Sequence, residues 1–276
     1  MIETNAPKYV KQFGISSYAG TLTQTRTDLI SVEEPLEIRL GWEGSPDSSE
    51  LAVTMRTPEF DRELAAGFLF TEGIIHSPDE IANIQVDHII NRVTVVLRAG
   101  VAVDPKVFAR HSFVASSCGV CGKKSINAVR VKRQYETTPE QGTIRVQTIH
   151  QLPVRLEQNQ STFKYTGGLH ASSLFDLDGQ LLAIKEDVGR HNALDKLLGE
   201  QFLKDQLPLS NAIIMVSGRA SFELVQKAAH AGLPILAAVG APSSLAVELA
   251  EESNMTLLGF VRNERFNVYT GAHRII

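Results

Sequence analysis

From Ala212 to Val261 the chain alternates short apolar runs with amphipathic stretches, and this rhythm limits the fold more than any other feature. Ala212–Val216, Ile235–Val239 and Met255–Val261 have the length and residue types of buried strands. Between them, Ser221–His230 and Ser243–Glu252 carry apolar residues at helical spacing behind Ser at the start. Such alternation implies crossover connections, and so an α/β fold with a largely parallel sheet covered on both faces. Upstream, Leu169–Phe175 and Leu181–Lys185 flank an Asp176-Leu-Asp-Gly179 turn and read as a hairpin. A helix follows from about His191, with Leu194, Leu197, Leu198 and Phe202 on one face.

The first half is less regular. Residues 1–30 are polar and read as an arm over the surface or a partly disordered segment. A smaller α+β N-terminal domain is expected over residues 31–110, with strands at Leu36–Trp42, Leu51–Met55, His88–Ile90 and Val93–Leu97. Its helix starts near Asp61, places Leu64, Ala65, Phe68 and Leu69 on one side, and ends at a Gly73 cap. Residues 111–125 are rich in Ser and Gly, lack a sustained period, and read as a mobile loop. The α/β domain then occupies residues 126–276.

With 43% hydrophobic and 21% charged residues, this is the composition of an ordinary globular protein. The net charge of −4 argues against a nucleic-acid binder, which is usually basic. Neither a secretory signal nor an apolar run long enough to span a bilayer is present, so no membrane association and a soluble cytoplasmic location are expected.

Both cysteines of the chain, Cys118 and Cys121, sit in one Cys-x-x-Cys inside the loop. That usage points to thiol chemistry or metal binding in a reducing compartment rather than to structural disulfides. Gly119 and Gly122 follow the two cysteines, and Arg110, His111, Lys123 and Lys124 surround them. Nearby positive charge favours the nucleophilic thiolate, which suits a group carrier that visits two partners. Zinc binding needs two further ligands, and no second Cys-x-x-Cys exists. A thioredoxin-like pair normally opens a helix, whereas the flanks here are irregular. A purely structural pair is a further alternative.

Three turns leave strands and open helices: Glu186-Asp-Val-Gly-Arg-His191, Val216-Ser-Gly-Arg-Ala-Ser221 and Gly240-Ala-Pro-Ser-Ser244. In open α/β sheets ligands bind beyond the carboxyl ends of the strands, where helix starts favour anions. Arg190, His191 and Arg219, with Ser217 and Gly218 beside them, suit a phosphate or a guanine edge. Arg262 and Arg265 add two guanidinium groups on a nearby loop, Phe260–Arg265. Each turn taken alone is explained by capping and chain reversal; their number is what suggests a basic nucleotide pocket. In Tyr165-Thr-Gly-Gly-Leu-His170, Gly168 permits close approach of a ligand, and His170 is either a ligand contact or a satisfied core histidine.

Ser117-Cys-Gly-Val-Cys-Gly122, Thr166-Gly-Gly-Leu-His170, Glu186-Asp-Val-Gly-Arg-His-Asn-Ala-Leu-Asp-Lys196 and Ser217-Gly-Arg-Ala-Ser221 resemble the signatures of the formate dehydrogenase accessory sulfurtransferase (FdhD) family. Ala66-Gly-Phe-Leu-Phe-Thr-Glu-Gly-Ile-Ile75 resembles its N-terminal helix, and the likeness runs from about residue 50 to the end. The resemblance implies a sulfur carrier that takes persulfide sulfur from a cysteine desulfurase. The sulfur then passes to the bis(molybdopterin guanine dinucleotide) molybdenum cofactor required by formate dehydrogenase. It further implies Cys118 as the persulfide cysteine, Cys121 as an assisting or relaying thiol, and Phe260, Val261, Arg262, Asn263, Glu264 and Arg265 as the cofactor-contacting segment. The implied fold is a cytidine deaminase-like α/β/α sandwich, usually a homodimer, with no permanently bound metal. Deaminase chemistry does not follow, because no His-x-Glu occurs and Ser117, not proline, precedes Cys118. Two other functions remain open: a cofactor-binding chaperone without sulfur chemistry, and a dithiol oxidoreductase.

Overall fold

The structure is a computed structural model and describes residues 9–104 and 131–276. Cys118, Cys121 and the loop expected over 111–125 lie outside the described residues.

The largest sheet holds β7 (His170–Asp176), β8 (Leu181–Asp187), β9 (Ala212–Val216), β10 (Ile235–Ala238), β11 (Thr256–Arg262) and β12 (Arg265–Thr270). Their order is β12-β11-β10-β9-β7-β8. Only β9, β10 and β11 run parallel, while β7, β8 and β12 pair antiparallel with their neighbours. The expectation of a largely parallel sheet is corrected in this respect. The turns within β7–β8 and β11–β12 are too short for a crossover, and strands joined that way pair antiparallel.

Helix α2 (Val146–Asn159) covers one face of this sheet. The other is covered by α4 (Arg190–Leu203), α5 (Phe222–His230) and α6 (Ser244–Glu252), with α3 (Phe163–Thr166) a single turn before β7. Alternation along β9 shows why both faces need cover. Ile213 and Met215 enter the α2 core, and Ala212, Ile214 and Val216 enter the core beneath α4 and α5. The result is an α/β/α sandwich.

The second sheet has the order β4-β3-β6-β5, from β3 (Glu34–Trp42), β4 (Ser48–Arg56), β5 (Ile81–Asp87) and β6 (Arg92–Leu97). Between the sheets lies α1 (Asp61–Thr71), which packs on α4. The two helices meet at glycines: a Cβ at Gly67 would overlap the Asp195 carbonyl, and one at Gly199 the Glu63 carbonyl. Leu36, Ile38 and Leu40 of β3 share one core with Leu64 and Leu69 of α1 and Leu194, Leu197 and Leu198 of α4. Residues 31–104 thus have their own sheet, and its core is continuous with that of the larger sheet.

Three local expectations change, and one helix was not anticipated. Residues within the anticipated arm form a hairpin of β1 (Val10–Ala19) and β2 (Leu22–Ser31), turned at Gly20 with φ +63°. His88–Ile90 is a turn rather than a strand, and the strand of that region is β5. Phe260–Arg265 is the turn end of the β11–β12 hairpin rather than a loop. Finally, α2 forms around Pro153 because Ile149, Leu152 and Leu156 make a buried stripe. Among the described residues, no helix is long and apolar enough to cross a membrane.

Candidate functional site

The longest motif, Glu186–Lys196, folds as the end of β8 and the first turns of α4. Most of its polar side chains are spent on holding that turn. Asp187 is fully buried; its Oδ1 accepts from the Gly189 N–H at 2.7 Å and Asn192 Nδ2 at 3.2 Å. Its Oδ2 accepts from the Thr57 N–H at 3.1 Å and lies 2.7 Å from Lys196 Nζ. Lys196 also donates to the Thr57 carbonyl at 2.8 Å, and Asn192 Nδ2 to the Met55 carbonyl at 2.7 Å. The end of β4 and the start of α4 are therefore locked together by buried hydrogen bonds. One residue earlier, the Glu186 carboxylate accepts from the backbone N–H groups of Thr162 and Phe163, both at 2.9 Å. It thereby caps α3, whose C-terminal Gly167 (φ +63°) turns the chain through Gly168 into His170.

With that turn fixed, the ends of four neighbouring strands form a row. His170 opens β7, and its Nδ1 would lie 3.3 Å from a Cβ at Gly218, so glycine there admits the ring. Ser217 Oγ accepts from the Ala171 N–H at 2.8 Å. The Gly218 carbonyl accepts from the Gly240 N–H at 2.9 Å, and the Gly240 carbonyl from the Phe260 N–H at 3.1 Å. Arg219 is exposed and lies along Gly240, where a Cβ would come within 3.0 Å of its Cα and Cγ. Phe260 is exposed and holds a left-handed backbone (φ +53°), uncommon for a bulky residue and most frequent at functional sites.

Arg190 and His191 stand at the start of α4, facing this row. Among the described residues, Arg190 Nε is buried without a hydrogen-bond partner. The His170 imidazole is held below its usual pKa, first by burial and then by the charge of Arg190 and by His191, against an opposing pull from Asp187. His170 is thus a neutral hydrogen-bonding group at pH 7, while Arg190 and Arg219 supply positive charge. His191 Nε2 lies 3.3 Å from Ser221 Oγ and 3.7 Å from Glu223 Oε2, at the start of α5. Neutral and cationic donors at one sheet edge, beside two helix starts, suit an anionic ligand with polar edges such as a nucleotide.

The structure brings together His170, Ser217, Gly218, Arg219, Arg190, His191 and Phe260. Gly168 adjoins them as the exposed residue before Leu169. Val261 is fully buried in the α2-side core, so its side chain packs rather than contacts a ligand. Arg262, Asn263, Glu264 and Arg265 are exposed at the hairpin tip, with Arg262 paired opposite Arg265. Asn263 lines a separate cavity of about 520 Å³ with Gln147, His150 and Gln151 of α2. Sequence reasoning missed Glu223 as a site residue. Its place two residues after Ser221, in the first turn of a helix that opens at the strand-end row, was the available signal.

Comparisons with known proteins identify the family of the chain. Residues 31–276 match the FdhD/NarQ family. A relative from Streptomyces avermitilis, named Sulfur carrier protein FdhD, is 49% identical over 261 residues, covering 91% of this chain and 90% of its own. One of the same name from Saccharolobus solfataricus is 40% identical over 267 residues, covering 96% of this chain and 98% of its own. A crystal structure from Desulfotalea psychrophila, described as that of a candidate formate dehydrogenase accessory protein, superposes with a TM-score of 0.74 at 25% identity. It covers 97% of this chain and all of its own. This chain belongs to the FdhD/NarQ family.

Proposed function

We propose that this protein is a cytoplasmic sulfur carrier that serves formate dehydrogenase. It takes the terminal sulfur of a cysteine desulfurase persulfide onto Cys118 and delivers it to a bis(molybdopterin guanine dinucleotide) molybdenum cofactor. The observation that carries the reading is the strand-end row, where Arg190, Arg219, His191 and His170 face one edge of the sheet. Relatives named as sulfur carriers supply the other half of the support.

In the first step the Cys118 thiolate attacks the terminal sulfur of the donor persulfide. A new S–S bond forms on Cys118, and the donor cysteine leaves as a thiolate. The acceptor is a substrate rather than a resident group, and its guanosine and phosphates are the parts that the row fits. Arg190 and Arg219 hold the phosphates, Gly218 allows close approach, and neutral His170 offers a hydrogen bond to a polar edge. Delivery as sulfide needs two electrons. Attack of the Cys121 thiolate on Cys118 Sγ supplies them, expelling the terminal sulfur as sulfide and leaving a Cys118–Cys121 disulfide. The homodimer expected from the family is part of the same reading.

The test is incubation of the purified protein with a cysteine desulfurase and free cysteine, followed by intact mass and peptide mapping. The expected result is a gain of sulfur on the Cys118 peptide that reductant reverses and that Cys118→Ala abolishes. No gain beside an active desulfurase overturns the carrier step and leaves a cofactor-binding chaperone.

A further inference from the structure

Ser221 occupies the N-cap of α5, where serine normally accepts a hydrogen bond from a backbone N–H of the first turn. It does not do so here. The next helix gives the comparison within the same molecule: Ser243, at the N-cap of α6, accepts from the Ala246 N–H at 3.3 Å. Ser221 instead turns its Oγ to within 3.3 Å of His191 Nε2. Glu223 joins it from the first turn of α5, with Oε2 at 3.7 Å from the same nitrogen. Two side chains of one helix start thus converge on one nitrogen of the imidazole, and one of them forgoes its ordinary cap.

From this geometry we infer that Glu223 is a positioning residue: with Ser221 it fixes the His191 ring at the strand-end row, with the proton on Nε2. The assignment follows from chemistry, since a carboxylate only accepts and its charge beside Nε2 favours the tautomer that carries the proton there. Burial would raise the Glu223 carboxyl. The neighbouring His191, its own backbone N–H and Ser221 outweigh burial and hold it at about 2, so it is ionised throughout the neutral range. The charge of Glu223 is favoured at a helix N-terminus. Arg190 precedes His191 in the chain, and His170 lies close enough to feel both. Glu223 therefore acts on the ligand only through His191. The role of His191 toward a guanine dinucleotide rests on the function proposed above, whereas its orientation by Glu223 does not.

The experiment uses the full chain, with ¹⁵N-labelled histidine and GDP as the probe. His191 signals are assigned by their loss in His191→Gln. In the wild type the His191 Nε2 resonance is expected in the range of a protonated ring nitrogen. In Glu223→Gln the His191 resonances should move while those of the other histidines stay. GDP affinity should fall roughly two- to tenfold, the effect of one ordinary hydrogen bond. In a His191→Ala background, Glu223→Gln should cost no further affinity, because coupled residues are not additive. Unmoved His191 resonances, or additive losses, overturn the inference. If Glu223→Gln fails to fold, Ser221→Ala gives the same reading, since no cap is lost with it. A wild type that binds no GDP defeats the nucleotide reading, and the His191 resonances alone then decide the role of Glu223.

Discussion

Lys196 Nζ lies 2.7 Å from Asp187 Oδ2, and neither side chain reaches solvent. The pair spans the turn that presents Arg190 and His191, so a structural bond underlies the geometry of the site. Both members are otherwise satisfied, by Thr57, Gly189 and Asn192. Removing one leaves a buried charge alone, which typically costs about 3–5 kcal/mol. Set against the total stability of an ordinary domain, roughly 5–15 kcal/mol, that is a large share. Lys196→Met is therefore expected to lower the urea midpoint sharply or to yield insoluble protein. A midpoint within error of the wild type would mean that the pair contributes little.

Gly67 and Gly199 make a similar prediction without charge. Each backbone rests against the facing helix, and no flexible side chain can move aside. Alanine at an exposed helical glycine usually stabilises, by about 0.5–1 kcal/mol. Here the sign should reverse. Gly67→Ala and Gly199→Ala must push α1 and α4 apart, and overpacking of this kind typically costs about 1–3 kcal/mol. Thermal melts of the two variants give the answer, and a raised Tm in either would show that the helices separate easily.

His230 sets an acid limit on stability. It is 1% exposed, with its ring 4.7 Å from Phe70, and burial drives its pKa from 6.5 to about 4, with His76 and Lys227 adding to the effect. A folded-state value below the unfolded one means that the unfolded chain takes up the proton first. The contribution is fully present above pH 6.5, declines as pH falls from 6.5 toward 4, and is lost below that. At about 1.4 kcal/mol per unit the decline amounts to roughly 3 kcal/mol. His230→Phe should remove that part of the acid slope, so urea titrations at pH 7, 5.5 and 4.5 should converge for the variant. Identical slopes in both proteins would assign the acid sensitivity to other groups.

The parts of the fold legible in the sequence are those in which one pattern decides the structure. The strands β9, β10 and β11 and the helices between them are buried on known faces, so periodicity sufficed. It did not suffice for α2, where Pro153 and several glutamines obscure the buried stripe of Ile149, Leu152 and Leu156. Nor did it reveal the β1–β2 hairpin, where Thr23, Thr25 and Thr27 alternate at strand spacing without a buried face to mark them. At the site, the strand-end turns were legible as motifs but their division of labour was not. Glu186, Asp187, Asn192 and Lys196 stand in the same motif as Arg190 and His191. Only their contacts separate the residues that build the turn from those that it presents. Val261 is a similar case, since the left-handed Phe260 and the register shift between Gly259 and Arg262 break the period of two and set Val261 beside Leu258 in the α2-side core.

Arg190 and Arg219 offer the most direct test of that division. Among the described residues, Arg190 Nε is buried without a partner, an unfavourable state that an anionic ligand would relieve. Replacing it by glutamine removes an unsatisfied donor, so the melting temperature should hold or rise. GDP binding should weaken by about ten- to a hundredfold, the range for a desolvated charge-assisted hydrogen bond. Arg219 is exposed, and water screens its charge. Arg219→Gln should therefore weaken binding by only about two- to fivefold, and most of that loss should vanish at high salt. The order matters more than either value. If Arg219→Gln costs as much as Arg190→Gln at every ionic strength, the ligand sits outside the row and is held by surface charge. If Arg190→Gln costs far more and the difference survives salt, the phosphates are bound at the start of α4, where the Asp187–Lys196 pair holds the turn in place.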